Sequence, residues 1–154
     1  ALSGTVSRLR FRLFMIQTVN LSLLHGMYAG GDWSCVIEIP GESSLEDLHD
    51  AIQQAVEFDN DHMYEFYIAN SYRGQKLHSY DCDDDIIVDT TVAQVFAAAT
   101  GKKVFYMFDY GDSWLFQLTK SRKKPHAAEA GITYPRVVSE EGTKPDQYPD
   151  WDEE

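Results

Sequence analysis

Apolar and polar positions change period several times along the chain, and each change marks an element. From Val6 to Ile16 the chain alternates, with Arg8, Arg10 and Arg12 set between Leu9, Phe11 and Leu13. Alternation is the period of a half-buried strand, here with the arginines outward. Val19 to Gly31 has no clean period, and Gly26, Gly30 and Gly31 make its second half read as a loop. Trp33 to Ile39 predicts a second strand, stopped by Pro40 and Gly41. Next, Leu45, Leu48, Ile52, Ala55 and Val56 recur at helical spacing behind a capping box of Ser43 and Glu46. His49 lies at the margin of that apolar face, and the helix should end near Phe58, where Asp59, Asn60 and Asp61 make a turn.

His62 to Ala69 predicts a third strand, with Met63, Phe66 and Ile68 toward the core. Ser71 to Gly74 is a turn and Gln75 to Asp85 a polar stretch. Ile86, Ile87 and Val88 read either as a short strand or as the staple before a second helix. That helix is capped by Asp89, Thr90 and Thr91, carries Val92, Val95, Phe96 and Ala99 on one face, and stops at Gly101. Val104 to Leu118 gives the strongest signal: two aromatic-rich arms around Asp109, Tyr110, Gly111 and Asp112. Such arms around a Gly/Asp turn predict a β-hairpin, with Gly111 supplying the positive φ. Past Lys124, Gly131, Pro135, Gly142, Pro145 and Pro149 break any regular element.

The resulting order, β-β-α-β-(β)-α-β-β, predicts an α+β fold: a mixed β-sheet with two helices packed on one face. Residues 1–124 would form the domain, and residues 125–154 an acidic tail packed on it through Tyr134, Tyr148 and Trp151. With 154 residues, 44% apolar and 13% aromatic, the chain has the size and composition of one globular domain. Cys35 and Cys82 stand far apart, which argues against a zinc knuckle or a disulfide framework and suits the cytoplasm. The most apolar early run, Phe11 to Leu24, is broken by Arg12, Gln17, Asn20 and Ser22, so neither a membrane span nor a signal peptide is expected.

Charge narrows the partners. The net charge is -12, and residues 41–70 hold eight acidic residues and no basic one. Such a surface repels phosphate backbones and disfavours nucleic acid. Lys120, Arg122, Lys123 and Lys124 form the local exception.

Three stretches resemble the plasmid pRiA4b ORF-3-like family of small α+β proteins. One runs from Trp33 through Pro40 to Leu45, Leu48, His49 and Ile52; a second is Phe58, His62, Met63 and Phe66. The third, Tyr106, Phe108, Asp109, Tyr110, Gly111, Asp112 and Trp114, is close to the family's aromatic-Asp-aromatic-Gly-Asp-x-Trp hairpin. Ser34 and Cys35 stand where the family usually has two arginines, and Phe116 where it often has His. The family's Cys-Pro-Pro-Glu-Asp tail is likewise replaced, by residues 142–149. The resemblance implies an uncharacterised protein and transfers no activity.

Asp109 and Asp112 flank the turn, where carboxylates either accept backbone N–H groups or serve acid–base and cation chemistry. Asp81, Asp83 and Asp85 alternate as at the start of a calcium loop. The Gly and Glu that such a loop requires are replaced by Ile86 and Val92. His49, His62 and His78 lack a second ligand at metal spacing. The expectation is therefore a binding or interaction module without catalysis or cofactor, for an unidentified protein or small-molecule partner. Its surface would comprise Trp33, His49, His62, Tyr110, Asp112 and Trp114. The alternative is a metal-assisted hydrolase using Asp109, Asp112 and His62, which requires His62 to meet the carboxylates in space. A nucleic-acid-associated protein of a mobile-element type ranks third.

Overall fold

The computed structural model describes residues 15–150. The expected strand over 6–16 therefore lies almost entirely outside the described residues, and Trp151 lies wholly outside them. Among the described residues there are seven strands: β1 (Ile16–His25), β2 (Trp33–Pro40), β3 (Tyr64–Ala69), β4 (His78–Asp81), β5 (Lys103–Phe108), β6 (Trp114–Lys120) and β7 (Arg136–Gly142). They form one sheet in the order β4-β3-β5-β6-β1-β2-β7, and every neighbouring pair is antiparallel. The expected mixed sheet is thus corrected to an antiparallel one. The two expected helices become three short ones: α1 (Leu45–Val56), α2 (Ile86–Asp89) and α3 (Val92–Ala98). The fold remains α+β in the broad sense but is dominated by strands.

Three strands lie where none was expected: β4 falls in the polar stretch from Gln75 to Asp85, and β1 and β7 fall in segments read as irregular. β1 begins where the alternating arginine segment should have ended and takes up much of the stretch without a clear period. Val19 and Leu21 are buried on the helix side of the sheet, with half-buried Asn20 between them and Ser22 after them, so a period of two was present but short. β7 lies in the supposed irregular tail. Pro135 precedes it and Gly142 ends it, so these residues bracket the strand instead of breaking it. Gly142 has φ +87, and a Cβ there would lie 2.0 Å from the Asp32 carbonyl oxygen. β7 is an exposed edge strand whose ladder partner is β2.

Glu38 of β2 helps hold that edge. Its buried carboxylate accepts from Arg136 at 2.6 Å and His126 at 3.0 Å, with Lys123 at 3.7 Å. Burial raises its pKa, but the hydrogen bonds from Arg136 and His126 and the nearby cations outweigh this and leave it below the ordinary value.

The helices pack against one face. Leu45, Leu48, Ile52 and Val56 of α1 and Val92 and Val95 of α3 join Trp33, Tyr106, Phe108, Trp114 and Phe116 in the main core. Burying each large side chain contributes about 1.5–3 kcal/mol. The α1 capping box is one residue later than predicted, with Ser44 and Asp47 exchanging both bonds. Ile86 to Asp89 is helical, neither strand nor staple, because Asp84 Oδ1 accepts the Ile86 N–H and starts the turn.

Candidate functional site

The α1–β3 loop, the β5–β6 turn and the C-terminal segment meet at one end of the sheet. The turn runs through Asp109 to Ser113, and its positive φ values fall on Asp109 (62°) and Ser113 (54°), not on Gly111. Asp109 Oδ1 accepts the N–H groups of Gly111 and Asp112 at 3.0 and 3.3 Å, and the Asp109 N–H donates to the Met63 carbonyl at 2.9 Å. One oxygen of the carboxylate therefore holds the turn, and the other points to His62.

Two polar networks converge here, and backbone donors fix the direction of both. In the first, the Asn60 N–H donates to Gln53 Oε1 at 3.0 Å, so Gln53 Nε2 must be the atom that donates to the Tyr106 hydroxyl at 2.9 Å. The hydroxyl then donates to His49 Nδ1 at 2.6 Å, and His49 Nε2–H donates to Asn60 Oδ1 at 2.6 Å. The ring of four residues closes with a neutral His49, which also stacks on Tyr64 at 3.5 Å. Burial lowers the His49 pKa below its ordinary value, against the opposing hydrogen bond to Asn60 and the Asp50 charge. Asn60 sits at φ +53, a conformation that Asn tolerates better than most residues.

In the second network the Asp59 N–H donates to Gln147 Oε1 at 2.7 Å, so Gln147 Nε2 donates to Asp61 Oδ1 at 2.9 Å. The Tyr148 hydroxyl donates to the other Asp61 oxygen at 2.6 Å. It is therefore an acceptor toward His62 Nε2 at 2.8 Å, and the same nitrogen lies 3.3 Å from Asp109 Oδ2. The Tyr148 bond holds the Asp61 pKa below the carboxylate range despite partial burial, with Gln147 adding to it. In return, the bond to Asp61 pushes the Tyr148 hydroxyl up to about 12. Beside this knot lies an open groove of about 470 Å³ between Val56, Glu57, Asp59, Lys144, Gln147 and Tyr148. Lys144 is already paired with Glu57 at 3.3 Å and Glu140 at 3.5 Å.

The structure brings together three of the residues singled out in the sequence, His62, Asp109 and Asp112, with Tyr110 exposed on the same turn. The other three are interior. Trp33 is buried and donates to Glu140 at 2.9 Å, His49 is buried in its ring, and Trp114 is buried against Phe58 and Gly26. Trp114 Nε1 has no hydrogen-bond partner among the described residues. Sequence reasoning missed Gln53, Asn60, Asp61, Tyr106 and Gln147 as members of the site, although the Asp59-Asn60-Asp61 turn and Tyr148 were both conspicuous. Asp81, Cys82 and Asp83 are the only described residues that bring three potential ligand atoms within 4.8 Å of one another. Asp109, Asp112 and His62 do not.

No helix among the described residues is long and apolar enough to cross a membrane. No curated protein matches the chain. A crystal structure of a protein of unknown function, MM3350 from Methanosarcina mazei Go1, is similar to it. That likeness has a TM-score of 0.65 and 21% identity, covering 81% of this chain and 68% of that one. At this identity the likeness speaks to the fold alone. Residues 35–148, which span both networks, match the family described as plasmid pRiA4b ORF-3-like protein. The chain belongs to the plasmid pRiA4b ORF-3-like family.

Proposed function

We propose that this protein is a non-catalytic interaction module whose hairpin-turn end binds a cationic segment of a partner polypeptide. The observation that carries the reading is the meeting of exposed apolar side chains with carboxylates that have no lysine or arginine partner among the described residues. Met27, Met63, Tyr110 and Tyr148 are exposed, and their segments all meet at the Asp109–Ser113 turn. The Met27 N–H donates to the Asp112 carbonyl at 2.9 Å, Met63 accepts from Asp109, and Tyr148 holds His62. Asp61, Asp109 and Asp112 lie among them. Burial and the charges of Glu65, Asp81 and Asp83 push the Tyr110 hydroxyl up. Tyrosine and methionine beside carboxylates offer an arginine side chain both a stacking face and a hydrogen-bonded counter-charge. The inferred setting is the cytoplasm, consistent with Cys35 and Cys82 both being free.

Fluorescence anisotropy with a labelled arginine-rich peptide tests this reading. Saturable binding that weakens with salt, and weakens further in an Asp61→Asn/Asp112→Ala variant, is expected. Undiminished binding by the variant would place the surface elsewhere.

The second reading, a metal-assisted hydrolase using Asp109, Asp112 and His62, is favoured by one distance, the 3.3 Å between His62 Nε2 and Asp109 Oδ2. Against it, Tyr148 and Asp109 share that single nitrogen, whereas a relay needs base and orienter on opposite nitrogens. A rise in thermal midpoint with manganese or zinc, abolished by Asp112→Ala, would support the hydrolase.

A further inference from the structure

The sheet face turned away from the helices has its own apolar ground. Tyr67, Phe105 and Leu115 are buried there with Met107 packed against them, and the Tyr67 and Phe105 rings stack at 5.1 Å. Beside them, between the end of β1 and the β3–β4 loop, is a cavity of about 650 Å³. This lies within the ordinary range for a small-molecule site, about 300–1,000 Å³. Leu24, Met107 and Leu115 supply apolar wall, and Tyr67 and Tyr72 aromatic wall.

The charge of the lining is the informative feature. In a chain of net charge -12, no carboxylate among the described residues lines this cavity, whereas Arg73 does. The Arg73 guanidinium is held 5.2 Å from the Tyr72 ring centroid, and it has no carboxylate partner among the described residues. Lys76, over the Tyr67 ring at 4.8 Å, is committed to Glu65. Among the described residues, one ring-braced guanidinium without a carboxylate partner therefore stands beside an aromatic wall in a cavity that no carboxylate lines. A single planar fork matches the two oxygens of a carboxylate, whereas a phosphate is ordinarily met by several donors or cations.

We propose that this cavity binds a small aromatic carboxylate, with its ring against Leu24, Tyr72 and Met107 over the buried floor of Tyr67 and Leu115, and its carboxylate on Arg73. Gln117, on the same wall, offers an amide that can orient a second polar group of the ligand. This site is independent of the hairpin-turn surface.

The test titrates 15N-labelled protein with 2-naphthoate, and separately with 2-naphthylmethanol, which keeps the ring and drops the charge. Saturable naphthoate binding is expected, with amide shifts centred on Leu24, Met107 and Leu115. Arg73→Gln, at an exposed position, should weaken naphthoate by about tenfold and leave the alcohol unchanged. No saturation by naphthoate, equal affinity in wild type and variant, or shifts centred elsewhere would each overturn the proposal.

Discussion

Tyr106→Phe removes one oxygen from the protein and leaves its shape almost unchanged, so it isolates the ring of His49, Asn60, Gln53 and Tyr106. Without the hydroxyl, His49 Nδ1 loses its donor and Gln53 Nε2 its acceptor, and both residues are 3% exposed. A tautomer switch does not rescue His49. Moving the proton to Nδ1 faces it toward a phenyl edge and breaks the bond to Asn60 Oδ1. Each of the two stranded buried groups costs about 1–3 kcal/mol, so the variant should lose about 2–6 kcal/mol, a large share of the roughly 5–15 kcal/mol typical of a domain. Urea denaturation followed by tryptophan fluorescence measures this, with buried Trp33 and Trp114 as reporters. Tyr64→Phe is the control, because the Tyr64 hydroxyl has no hydrogen-bond partner among the described residues while its ring keeps the stack on His49. A loss below about 0.5 kcal/mol in Tyr106→Phe would refute the closed ring.

Further outcomes follow from the same geometry. His49 has a depressed folded pKa, so above the unfolded value of about 6.5 both states hold it neutral and the ring is intact. As pH falls from there through the folded value, the unfolded chain gains a proton first and stability drops; His49→Phe should flatten that part of a pH–stability curve. Gly26→Ala places a methyl 2.1 Å from Trp114 Cε3, where the buried ring cannot retreat, and should lower the thermal midpoint by the equivalent of about 1–3 kcal/mol. Tyr148→Phe removes the bond that holds Asp61 down, so the Asp61 carboxyl should titrate at higher pH by carbon-detected NMR, with little change in global stability.

The sequence made some of this architecture legible and hid the rest for physical reasons. The hairpin was legible because its arms, Val104–Phe108 and Trp114–Leu118, alternate between two buried faces and are rich in aromatics. α1 was legible through its apolar spacing, yet its cap shifted by one residue because Ser43 and Ser44 are adjacent and Glu46 and Asp47 offer equivalent partners. β7 was hidden because it is fully exposed. An edge strand held by its ladder, by Glu38 to Arg136 and by Trp33 to Glu140 needs no apolar pattern. Half of the expected surface residues turned out to be interior because Trp and His serve a core as readily as a surface, provided the polar atom finds a partner. His49 and Trp33 find one. The approach of Tyr148 to His62 across 86 positions has no local trace at all.

The most direct measurement of the interaction surface is an amide-shift map of 15N-labelled protein titrated with an arginine-rich peptide. Saturable shifts are expected at residues 61–63, 110–113 and 147–148, vanishing at high salt and in the Asp61→Asn/Asp112→Ala variant. Shifts spread evenly over the acidic surface, or centred on another face of the sheet, would contradict that expectation.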